Sequence, residues 1–129
     1  MKRLMTIILG GLLFFASCSK DDEDKLEGKW QLRQVEENGV TTKVDTVFYN
    51  FQNSLFMYQI LTPTSEMCHS YGYKTIVADK QLLLELIDAY EFLKYTDWTS
   101  SKETFTIERL TGNQLILDRE NKRYIFRKF

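Results

Sequence analysis

The chain has 129 residues, 43% of them hydrophobic and 27% charged, with a formal net charge of -1. That length fits one domain around a single modest core. The near-neutral charge leaves a nucleic-acid partner without an electrostatic footprint.

Lys2 and Arg3 precede an apolar run from Leu4 to Phe15, broken only by Thr6, Gly10 and Gly11, and followed by Ala16 and Ser17. Charge, apolar run and small residues come in the order of a secretory signal. A helix of about a dozen residues covers about 18 Å, short of the ~30 Å hydrocarbon core, so a permanent membrane span is not expected. Phe15-Ala16-Ser17-Cys18 resembles the lipobox of bacterial lipoproteins. The resemblance implies cleavage before Cys18, diacylglycerol on its thiol, and a membrane partner reached through that lipid. Two or three acyl chains, at ~0.8 kcal/mol per buried CH₂, would make the anchor nearly irreversible.

Ser19-Lys20-Asp21-Asp22-Glu23-Asp24 has no apolar residue and reads as a solvated, self-repelling tether. Ser19, Lys20, Asp21, Asp22 and Glu23 also resemble the export signal that sends some lipoproteins to the outer face of the outer membrane. The expected layout is a signal peptide at 1–17, a lipidated cysteine and acidic tether at 18–26, and a β-barrel domain at 27–129. Without Lys2 and Arg3 the formal charge becomes -3, from the -1 of the whole chain. Lipidation of Cys18 leaves Cys68 without an intramolecular partner, so the fold must hold without a disulfide. Cys68 and His69 are adjacent and in a strand point to opposite faces, which argues against a shared metal or a nucleophile and base pair.

From Lys29 onward, short β-rich runs alternate with turn chemistry, the pattern of an antiparallel meander or barrel. Strands are expected near 29–37, 44–51, 54–61, 68–77, 81–87, 103–110, 114–119 and 123–129. Asn38-Gly39 is a type I′ hairpin signal, Gln52-Asn53 and Thr111-Gly112-Asn113 mark further turns, and Pro63 falls in a loop. The stretch from Leu82 to Trp98 fits either period and reads as a strand to Ile87 followed by a short helix, 88–95. An α+β sheet packed on that helix is the alternative to a barrel.

Leu26-Glu27-Gly28-Lys29-Trp30 resembles the Gly-x-Trp signature of the lipocalins, and the ending 113–127 resembles the close of small lipocalin-like lipoproteins. The resemblance implies an all-β fold, an eight-stranded antiparallel up-and-down barrel with one short helix. It also implies that Trp30, following Gly28, plugs the closed end, with Arg127 lying across the ring and Arg123 as its substitute. The lipocalin Thr-Asp-Tyr loop motif is absent; Thr96-Asp97-Trp98 has only a similar look.

An eight-stranded barrel is just wide enough to fill with side chains or to hold one small ligand. Phe56, Tyr58, Tyr71, Tyr73 and Trp98 are the candidate lining for an apolar or amphipathic molecule, or else simply the core. No Gly-x-Ser-x-Gly, phosphate-cradling loop, His-Glu-x-x-His or Cys-x-x-Cys occurs, so neither enzyme, metal nor cofactor is expected. Asp45-Thr46-Val47 resembles an O-glycosylation acceptor, though a plain exposed strand is the simpler reading. The alternative to a ligand carrier is an interaction module that engages another envelope protein.

Overall fold

The computed structural model describes residues 22–77 and 80–129. Among these residues, nine strands form one antiparallel sheet: β1 (Gly28–Glu37), β2 (Val40–Lys43), β3 (Val47–Gln52), β4 (Leu55–Leu61), β5 (Met67–Val77), β6 (Gln81–Leu86), β7 (Lys102–Leu110), β8 (Gln114–Arg119) and β9 (Lys122–Lys128). β9 pairs along the free edge of β1, from Trp30↔Lys128 to Glu37↔Lys122, and so closes the sheet. Eight strands make the barrel. β2 is a short addition that pairs with the outer half of β1, while β3 pairs with its first four residues. The closure excludes the α+β alternative.

Alternation explains which side chains enter the core. Phe56, Tyr58 and Ile60 on β4, Leu82, Leu84 and Leu86 on β6, and Leu115 and Leu117 on β8 are buried, with more exposed residues between them. Gly72 faces inward on β5, where a Cβ would sit 1.7 Å from the Glu85 carbonyl oxygen and 2.8 Å from the Leu86 Cα. Only a residue without a side chain lets β5 and β6 approach this closely. Gly72→Ala is expected to cost about 3 kcal/mol, the upper range for overpacking, measured by urea unfolding. A loss under about 1 kcal/mol would show that the strands can part here.

Two expected elements differ. The strand placed at 44–51 begins at Val47, and Val40–Lys43 forms a separate strand that the sequence reading missed. All four residues of β2 are exposed, so no apolar alternation marks them; the ladder to β1 and the Asn38-Gly39 turn hold them. Both turn residues have positive φ, 53° and 77°, as a type I′ turn requires. The helix expected over 88–95 is a single 3₁₀ turn, Phe92–Tyr95. Asp88 adopts φ 50°, a left-handed conformation that cannot begin a right-handed helix. Residues 22–26, within the expected tether, form a helical turn, and Leu26 is fully buried in the core. Cys18, Ser19, Lys20, Asp21 and the stretch 1–17, expected to be a signal peptide, lie outside the described residues. Asp22 pairs with Lys80 at 3.2 Å, and Glu23 is exposed.

Candidate ligand site at the barrel mouth

The two ends of the barrel differ in chemistry. At the end reached by the amino terminus of β1, Trp30 is 0% exposed and its Nε1 donates to the Leu26 carbonyl at 2.8 Å. The cation over its ring is Lys128, with Nζ 4.6 Å from the centroid, rather than Arg127. Strand alternation is the reason: Tyr124 and Phe126 face in, so Arg127 must face out and Lys128 turns back in. Arg123, the named substitute, is also outside, where its Nε lies 2.8 Å from Glu108 Oε2. Gly28, at φ 113°, leaves the space that Lys128 occupies; a Cβ there would lie 2.5 Å from Nζ. Lys128 Nζ also donates to the Glu27 carbonyl. Burial lowers the lysine's pKa, and the neighbouring Glu27 partly offsets the shift.

The middle of the barrel is packed with rings. Phe56 and Trp98 stack with centroids 6.1 Å apart, Tyr58 meets Trp98 edge-on at 5.4 Å, and Tyr49 lies 4.8 Å from both Tyr58 and Phe126. Three of the five proposed lining residues, Phe56, Tyr58 and Trp98, therefore come together inside. Tyr71 and Tyr73 do not: they are 60% and 47% exposed on the outer wall. Their parity follows from Gly72, which must face in against β6, so both neighbours face out.

The opposite end opens into a cavity of about 560 Å³ between the β2 edge and the 87–101 loop. Leu32, Val35, Val44 and Val47 form its apolar side; Tyr49, Tyr58, Tyr124, Thr96 and Asp97 supply hydroxyls and a carboxylate. The 87–101 loop crosses this end with Ala89, Phe92 and Trp98 buried. Its fastening is polar. Tyr124 donates from its hydroxyl to Asp97 Oδ2 at 2.5 Å. Arg119 Nη2 donates to the Tyr124 oxygen at 2.9 Å and to the Asp97 carbonyl at 3.1 Å. Arg119 Nη1 pairs with Glu103 at 3.1 Å, and Lys122 pairs with Asp97 at 3.3 Å. Trp98 Nε1 donates to the Tyr49 hydroxyl at 3.2 Å. A carboxylate edge and tyrosine hydroxyls above an apolar wall can orient an amphipathic molecule by its polar end.

Sequence reasoning missed Tyr49, Asp97, Arg119 and Tyr124. The signal for Arg119 was present: on β8 the inward positions 115 and 117 are leucines, and the same parity carries residue 119 inside.

Burial raises the pKa of all three inward tyrosines. For Tyr49 and Tyr58, desolvation acts first and nearby charge adds to it; for Tyr124, desolvation is followed by the hydrogen bond to Asp97. These groups keep their protons when folded and lose them near pH ~10 when unfolded. Their stabilisation is therefore complete below about pH 10 and falls, as pH rises towards the folded values, by up to ~1.4 kcal/mol per unit for each tyrosine. Urea midpoints measured through that range should drop steeply. A flat profile would mean that these hydroxyls are not desolvated.

A family model described as a lipocalin-like domain matches residues 12–129. A solved lipocalin-like protein from Bacteroides uniformis ATCC 8492 is 34% identical, with a TM-score of 0.75, covering 81% of this chain and 99% of that one. An uncharacterized protein from Bacteroides eggerthii DSM 20697 is 26% identical, with a TM-score of 0.72 and the same coverages. No curated protein matches the chain.

Proposed function

The chain belongs to the lipocalin-like domain family, and on that premise we propose that it is a lipid-anchored envelope protein whose barrel mouth takes up a small amphipathic ligand without catalysis. The observation that carries this reading is the mouth cavity, in which an apolar wall faces Asp97 and the tyrosine hydroxyls. Ring packing deeper in the barrel restricts the ligand to the mouth. The closed floor around Trp30 takes no part in binding.

Native mass spectrometry of the mature protein, gently extracted from its membrane, tests the reading. A discrete small-molecule adduct released on unfolding is the expected result. Val47→Trp should fill the mouth, because residue 47 alternates inward with Tyr49 and Phe51. It should weaken binding of the fluorescent amphiphile anilinonaphthalene sulfonate by about tenfold or more, a loss of ~1.4 kcal/mol of binding energy or more. Unchanged binding by a folded Val47→Trp variant would place the ligand elsewhere.

The anchor rests on the lipobox at Cys18 and on the acidic residues after it. Cys18→Ser should abolish fatty-acid labelling and membrane retention; labelling that persists excludes the anchor. Alanine in place of residues 20–24 should remove protease accessibility in intact cells while keeping the anchor, and continued accessibility would count against outer-face display.

A second reading has its own observation. Leu55 on β4, Tyr71 and Tyr73 on β5, and Ile87 just after β6 are exposed on the outer wall, with Leu55 opposite Tyr73 and the Ile87 amide bonded to the Tyr71 carbonyl. Such an apolar face suits an envelope protein partner. A polypeptide, rather than a small molecule, retained in the mass spectrum would favour it.

A further inference from the structure

Three cations on the outer wall take no part in the fold or the mouth. Arg33 on β1, Lys43 at the end of β2 and Arg127 on β9 line one groove of about 860 Å³, together with the amides of Gln34, Asn113 and Gln114. None of the three makes an ion pair among the described residues, although Arg123, on the same strand as Arg127, faces Glu36, Glu108 and Asp118. Among the described residues, the Arg33 side chain donates only to the Gln31 side chain, from Nη1 at 3.3 Å.

A β-bulge concentrates these groups. Leu32 opposes Phe126 and Gln34 opposes Ile125, so Arg33 is the extra residue of β1. A bulge of this kind re-aims side chains and lets the strand bend. Ile125 and Val44 also line the groove, and Asp45 is the one carboxylate lining it among the described residues. That leaves a net positive concavity lined by amides and aliphatic side chains as well as the three cations.

We propose that this groove binds an acidic saccharide. Its carboxylate would sit between Arg33 and Arg127 with Lys43 beside them, since guanidinium forks pair with planar oxyanions through two parallel hydrogen bonds. Hydroxyls would meet Gln34, Asn113 and Gln114, which both donate and accept. The apolar face of the sugar ring would cover Ile125. Asp45 limits the charge the groove accepts, favouring a single carboxylate over a polyanion. Val44 borders both the groove and the mouth, but the groove's cations and amides do not line the mouth, and the proposal does not depend on ligand uptake there.

Calorimetric titration of the full chain in a nonionic detergent provides the test, with four probes: a uronic-acid disaccharide, its neutral counterpart, acetate, and phosphatidylglycerol mixed into the micelles. The uronic-acid disaccharide should bind saturably and at least tenfold tighter than either the neutral sugar or acetate, a charged contact being worth about that much. Arg33→Gln and Arg127→Gln should each weaken it by about tenfold. Arg109→Gln, an equal change of charge on β7, should leave it unaffected. Equal binding of the neutral sugar, or acetate as tight as the disaccharide, would overturn the proposal. Phosphatidylglycerol binding without uronate binding would also overturn it and assign the groove to a lipid headgroup.

Discussion

Replacing Trp30 by alanine is expected to cost roughly 3–5 kcal/mol, the range for removing a buried large aromatic side chain. The ring is 0% exposed, and the strands paired on either side of Trp30 hold the wall around the space it would leave. Two further contacts go with it: the Nε1 bond to Leu26 and the Lys128 cation over the ring. The first ties the 22–26 turn across the barrel floor, so the variant should free this segment to limited proteolysis as well as lower the urea midpoint. Lys128→Met separates the effects. It keeps aliphatic cover and removes the charge, and should cost no more than about 1–2 kcal/mol, the value of a partly desolvated cation over an aromatic ring. A Trp30→Ala loss as small as that of Lys128→Met would mean the floor is not closed by the ring.

The barrel was legible because its signals are local and repeat. Phe56-x-Tyr58, Leu82-x-Leu84 and Leu115-x-Leu117 alternate plainly, and Asn38-Gly39 is a strong local hairpin signal. β2 carries no such signal, since an exposed edge-filling strand owes its existence to unpaired groups on β1. The 87–101 loop was harder for a related reason. Its spacing of Leu86, Ile87, Tyr90 and Leu93 is compatible with a helix, yet Asp88 and the sheet bonds of Leu86 and Ile87 decide otherwise, and those bonds reach residues 101 and 71. Among the site residues, parity settles much. Tyr71 and Tyr73 share a face, as expected, but only the inward demand at Gly72 says which one. The same counting along β9 moves the cation at the floor from Arg127 to Lys128. The Asp97–Tyr124–Arg119 cluster joins a loop to two strands, and nothing in any one segment announces the other two.

That cluster supplies the other large effect. Arg119 is 8% exposed, stacked 5.5 Å from the Phe105 ring, and shared between Glu103 and Asp97. Glu103→Ala removes the partner of Nη1 and also the oxygen that accepts from the Thr99 amide and hydroxyl at 3.0 and 3.2 Å. A guanidinium whose Nε already lacks a partner would then be more poorly satisfied, and breaking a buried pair from one side costs roughly 3–5 kcal/mol. Arg119→Met removes that charge and leaves an apolar chain against Phe105, but alone it strands the Glu103 carboxylate, so only the double variant relieves both partners. The double variant should therefore be more stable than Glu103→Ala alone, a reversal of sign that a double-mutant cycle reads directly. If the two losses simply added, the pair would be a surface contact in energy despite its burial. The cluster also holds the loop over the mouth, since Arg119 reaches the Asp97 carbonyl and Glu103 reaches Thr99 at the loop's far end. Glu103→Ala should thus speed both entry and release of an amphiphile at the mouth while leaving the Trp30 floor intact, and unchanged stopped-flow rates would show that the loop is not the gate.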